Sequence, residues 1–258
     1  MKELFSMWKN TKMVMLTALT GAIFAALLIP FKGIPLIPGF TEIRPAQIIA
    51  GTFPLFFGPA GAWGLAIGNL IGDFFGTLGL GSIFGFFGNL LNGFVIYKVW
   101  DSFADKPVVE SKKDFFKYAL AIICGGFTGG LIIAWGLDML GLLPFAALGT
   151  TIPLNNTILP IIIGPPLLKL LYPRIERWGL MWKEILREED YREPRMPKLG
   201  RTLTAIGSVG GIIVGILIST GVYGAVLASF GSGTTGMGVA LGLLPFILAM
   251  LFGSLYLL

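Results

Sequence analysis

An all-α protein that crosses a membrane several times follows from three observations. Hydrophobic residues make up 55% of the 258-residue chain and charged residues only 13%, about half the charged share of a soluble domain. Apolar runs long enough to span a bilayer as helices recur at 12–31, 61–80, 82–100, 117–138, 151–172, 202–228 and 237–258. Basic residues then fall between those runs on one side. With the N-terminus inside, seventeen of the nineteen lysines and arginines lie on the inner side, and only Lys32 and Arg44 on the outer. So strong a positive-inside bias requires an eighth crossing at 46–58, a short segment carrying Pro54. Such a helix needs protein neighbours around its exposed backbone. Both termini are then cytoplasmic, and the first helix is expected to stay uncleaved for want of a small-residue cleavage site.

The same composition excludes several function classes. There is no histidine, and the single cysteine, Cys124, sits in an apolar run. A disulfide framework, a zinc site and a histidine-based catalytic set are therefore not expected, and no cofactor or metal is predicted. No G-x-x-x-x-G-K-[ST] phosphate loop occurs, so ATP hydrolysis through that motif is excluded. The formal charge of +5 sits in loops between apolar runs, which fits membrane topology and not nucleic-acid binding.

Taken in order, the first helix reads MLTALTGAIFAALL, with Ala18, Ala22 and Ala26 at four-residue spacing on one smooth face. That face suits packing within the bundle or docking on another membrane subunit. The loop GIPLIPGFTEIRPAQ follows, Gly33 to Gln47, stiffened by Pro35, Pro38 and Pro45 and carrying Glu42 and Arg44. A stiff charged loop between membrane helices is expected to form part of a binding site or a lid. The third span repeats glycine at 64, 68, 72 and 76, a face for close helix approach. Asn69 and Asp73 lie about 100° round from it, and an acid inside a span is a functional candidate by default.

Asn89 and Asn92 share a face of the fourth span. Trp135 and Asp138 stand near the outer end of the fifth, and Asn155 and Asn156 open the sixth. By helix rise, Asp73 lies about 18 Å above the inner end of its span and Asn89 about 10 Å below the outer end of its own. Polar groups from five segments thus collect in the outer half, which suits a pocket for a small polar or aromatic molecule taken from outside. The charged stretch 174–200 is expected to be a cytoplasmic helix or linker, lying on the membrane with Trp178, Met181 and Trp182 buried. The last two spans carry Gly207, Gly211 and Gly215 but no acid, base or amide in their apolar cores, and are expected to be structural.

These residues resemble a known family. The alanine-rich first helix, the charged loop, the short second helix, the glycine-rich third and the ending GPPLLKLLYPR of the sixth are similar to S components of energy-coupling-factor (ECF) transporters. Within that group, TEIRPAQIIAGTFPLFFGPAGAWGLAIGNLIGD looks most like the queuosine-precursor (QueT-type) transporters. The resemblance implies a six-helix substrate-binding unit over 1–173, followed here by the linker 174–200 and an extra two-helix hairpin at 201–258. It implies a multi-pass protein of a prokaryotic cell membrane that binds a vitamin-like or nucleobase-like micronutrient near the outer face. It also implies a transmembrane coupling subunit and two separate ATPase subunits as partners, with Ala18, Ala22 and Ala26 as the docking face. Glu42, Arg44, Gln47, Asn69, Asp73, Asn89, Asn92, Trp135, Asp138, Asn155 and Asn156 are the expected substrate-binding residues. Two other readings remain open: a stand-alone secondary transporter or channel using Asp73 as an ion or proton site, and a membrane enzyme pairing Asp73 with Asp138.

Overall fold

The computed structural model describes residues 2–104, 106–191, 196–222 and 237–257. Among these, six helices are long and apolar enough to cross a membrane, and two of the eight expected crossings are shorter. A short inner helix α1 (Lys2–Ser6) leads to Asn10, whose side chain accepts from the backbone of Lys12 and Met13 and starts α2 (Thr11–Leu28). Pro30 follows at the head of a tight turn, Ile29–Gly33. A small antiparallel hairpin comes next, β1 (Pro35–Ile37) against β2 (Thr41–Glu42), with Gly39 at φ +77° in its turn, a conformation that favours glycine.

The short crossing is two helical pieces, α3 (Gln47–Ala50) and α4 (Phe53–Phe57), broken at Gly51 and Thr52. Tyr118 covers the break: its hydroxyl shares one proton between the Gly51 carbonyl at 3.0 Å and the Pro160 carbonyl at 2.9 Å. Backbone freed inside a membrane must find such a partner. Gly58, at φ +53°, reverses the chain into α5 (Pro59–Asp73).

The next span ends earlier than its hydropathy suggests. The chain turns after Asp73, where the carbonyl accepts from Gly76 and Thr77. Gly76 therefore leaves the glycine ladder and stands at φ +148° in the connection to α6 (Gly81–Asp101). The remaining ladder seats α2. A Cβ on Gly64 would lie 2.4 Å from Thr20 Cβ, and one on Gly68 would lie 2.7 Å from the Gly21 carbonyl oxygen.

Beyond α6, α7 (Lys112–Met139) and α8 (Phe145–Arg177) form the rest of the main bundle. α8 runs through Pro153, Pro160, Pro165, Pro166 and Pro173 and takes in the first residues assigned to the linker. Among the described residues the expected membrane-surface helix is not formed. In its place a single turn, α9 (Trp182–Ile185), buries Trp182 in the protein, edge-on to Tyr97 and Tyr191, while Trp178 stays exposed. The glycine turn at 58 leaves the space for it: a Cβ there would sit 2.6 Å from the Trp182 ring.

The C-terminal pair is α10 (Pro197–Ala205), a π-turn (Ile206–Gly210), α11 (Gly211–Ser219) and α12 (Met237–Tyr256). The end of the seventh expected span lies outside the described residues. Gly207 abuts Met250 of α12, Gly211 abuts Leu131 of α7 and Gly215 abuts Phe145 of α8. The pair thus shares a core with α7 and α8, while α2 packs on α5. Ala18, Ala22 and Ala26 lie on the exposed side of α2.

Gly68→Val is expected to force α2 away from α5 and cost about 1–3 kcal/mol of stability. The check is the thermal transition of detergent-purified protein; an unshifted midpoint would contradict the helix contact described.

Candidate functional site

Four charged side chains meet at the end of the bundle that the bias of basic residues assigns to the outside. Glu42 is buried on β2, Arg44 just after it, Asp73 at the end of α5, and Lys32 in the turn after α2. Arg44 Nε donates to Glu42 Oε1 at 3.0 Å. Lys32 Nζ lies 3.3 Å from Glu42 Oε2 and 3.5 Å from Asp73 Oδ1, and 2.6 Å from the Thr77 hydroxyl. Two cations and two anions thus cancel within one network, which lowers the cost of holding ions away from water.

Amides extend the network and form a second group deeper in the bundle. Asn69 accepts from Arg44 Nη1 at 3.2 Å and donates to Asp73 Oδ2 at 3.2 Å, placing Arg44, Asn69 and Asp73 in one row. Asn155 on α8 fixes the base of the hairpin by accepting from the Arg44 backbone N–H at 3.1 Å and donating to the Glu42 carbonyl at 2.7 Å. Deeper in the bundle, Gln47 donates to Asn89 at 3.3 Å and accepts from Asn92 at 3.2 Å. Asn89 in turn donates to the Gly85 carbonyl at 2.8 Å.

Beside this row is a cavity of about 410 Å³, a volume within the range of small-molecule sites. Arg44, Asn69, Asp73 and Thr77 supply its polar wall, Gly39, Phe40 and Thr41 of the hairpin cover it, and Ile133, Leu137, Leu148 and Ile152 make the apolar side. Thr41 Oγ1 is buried without a hydrogen-bond partner among the described residues. The alternation of guanidinium, amide and carboxylate can meet a ligand edge that carries both acceptors and donors, while the apolar wall takes a flat or aliphatic body.

The structure therefore brings eight of the expected residues into two groups: Glu42, Arg44, Asn69, Asp73 and Asn155 in one network, and Gln47, Asn89 and Asn92 in a second, deeper one. Arg44, Asn69 and Asp73 face the cavity, Glu42 and Asn155 hold Arg44 and the hairpin, and Gln47, Asn89 and Asn92 tie α3 to α6. Three residues are placed elsewhere. Asp138 is fully buried and accepts from the Phe145 backbone N–H at 2.7 Å, so its carboxylate closes the positive N-terminal end of α8. Trp135 donates its indole N–H to the Ala240 carbonyl at 3.3 Å and packs edge-on to Phe84, joining α7 to α12. Asn156 points between α7 and α8, beside Gly126 and Gly129.

Lys32 and Thr77 were not among the expected site residues. A signal for Lys32 was present: it is one of only two basic residues on the outer side of a chain otherwise biased inward. Thr77 carried none, because hydropathy places it inside a span.

A family model described as QueT transporter matches residues 14–173. The chain belongs to the QueT transporter family. QueT transporters are S components of ECF transporters, so this chain is a multi-pass membrane S component. The matched range begins within α2 and ends within α8; it contains every residue of the cavity wall and stops before the C-terminal pair. No curated protein and no solved structure matches the chain.

Asn155→Ala in this QueT protein is expected to release two hydrogen bonds at the hairpin base, costing about 1–3 kcal/mol. Faster proteolytic cleavage between residues 33 and 45, compared with the parent, is the measurement. Equal cleavage would mean that Asn155 does not hold the hairpin.

Proposed function

We propose that the chain is the substrate-capture subunit of an ATP-driven ECF importer. It takes a vitamin-like or nucleobase-like micronutrient from outside into the cavity under the hairpin. One observation carries this reading: a cavity at the outer end whose polar wall is the Arg44, Asn69 and Asp73 row. A row of donors and acceptors on one side and an apolar wall on the other suits a planar heterocycle with polar edges. Glu42 and Asn155 set Arg44.

ATP hydrolysis belongs to two separate partner subunits in this reading, and the chain itself is a binding protein of a prokaryotic cell membrane. Docking on the transmembrane coupling subunit uses Ala18, Ala22 and Ala26. Their exposure on α2 supports it, since small side chains let another helix approach closely. A stand-alone carrier using Asp73 as an ion site is the less favoured reading, because both carboxylate oxygens of Asp73 already have partners within the chain.

If wild type retains a small molecule through purification, Arg44→Ala is expected to weaken that retention by about tenfold or more, since it removes a charged hydrogen-bond donor. Native mass spectrometry of wild type and variant reads this, and undiminished retention would take Arg44 out of the site. Ala22→Trp is expected to leave ligand retention intact and abolish co-purification with the coupling subunit. An assembled complex containing the tryptophan variant would refute that docking face.

A further inference from the structure

Lys32 does not line the cavity, yet it is bound to both sides of its mouth. Its ammonium meets Glu42 on the hairpin and, on the α5 side, Asp73 and Thr77. The hairpin has two short strands with an irregular register and cannot hold its own shape in isolation. Ile37 and Phe40 rest its tip against the α7–α8 core, and Asn155 holds its base to α8. Among the described residues, Lys32 is the only side chain whose charged group bridges β2 and the turn that follows α5.

We propose that Lys32 is the pin that holds the hairpin shut over the cavity, so that the outer mouth opens when this ammonium leaves its carboxylates. Half of the pin travels with the cover, through Glu42, and half stays with the bundle, through Asp73 and Thr77. Loss of the ammonium leaves two buried carboxylates facing each other across the mouth with Arg44 alone to balance them, and like charges at short range in a poorly solvated site push the cover outward. The inference takes the cavity as the solute's seat, as proposed above, but concerns only access to it.

The test needs no solute, so its outcome is independent of the importer reading. Ile152 lines the cavity and is buried; Ile152→Cys in a Cys124→Ala background gives one reporter thiol, modified from outside by a membrane-impermeant maleimide in proteoliposomes. Lys32→Met is expected to raise the labelling rate about tenfold, and Lys32→Arg to leave it near the parental rate. Thr77→Ala, which removes one partner of the ammonium and spares the charges, is expected to raise it about threefold. This milder variant keeps the test open if Lys32→Met does not fold. A second reporter, Leu65→Cys in the buried core, is expected to stay unlabelled throughout. Unchanged labelling of Cys at 152 in the folded variants would overturn the proposal, and so would a matching rise at 65, which would mean general loosening.

Discussion

Four opposite charges held together away from water are the constraint on which the outer half of this protein depends. An isolated lysine, arginine or carboxylate at membrane depth is costly, and each of the four is tolerable only beside the others. Lys32, Glu42, Arg44 and Asp73 come from three parts of the chain: the turn after α2, the hairpin and its exit, and the end of α5. Their meeting requires α2 and α5 to lie almost backbone to backbone. Gly21, Gly64 and Gly68 make that approach possible. The glycine ladder sets the geometry, and the charges set the chemistry that the geometry supports.

The amides distribute this order through the bundle. Asn69 joins the guanidinium to the carboxylate, Asn155 joins the hairpin to α8, and the Gln47, Asn89 and Asn92 group joins the short third helix to α6. Asn69, Asn155, Gln47 and Asn89 each use both ends of the amide and so fix two elements at once, whereas an apolar contact tolerates sliding. The wall of the cavity is thus set by hydrogen bonds, and the opposite wall by packing.

Much of this was legible in the sequence because a membrane leaves few options. Long apolar runs must be helices, and the bias of basic residues orders them across the bilayer. The same physics marks Asp73 and Arg44, since charges in such surroundings need a reason. Directions and ends were less legible. Hydropathy does not see that Gly76 and Thr77 turn the chain back on Asp73, so α5 appeared longer than it is. Trp135 was read as facing the site, but its partner is a carbonyl of α12, and no periodicity gives the placement of that helix against α7. Asp138 has the look of a functional acid and serves as a helix cap, a role visible only when the start of α8 is known. Trp182 was assigned to the lipid surface because the space that receives it exists only through the sharp turn at Gly58.

That tryptophan bears on how the membrane stays sealed. At the inner end, Trp182 fills the space over Gly58 beside Tyr97, and directly beneath the rings Lys98 and Glu3 form a buried ion pair 2.6 Å apart. Lys183 and Asp101 close the rim. Rings and paired charges thus stopper the end of α5 opposite the cavity, so a solute seated under the hairpin would have to leave by the side it entered unless this packing opens.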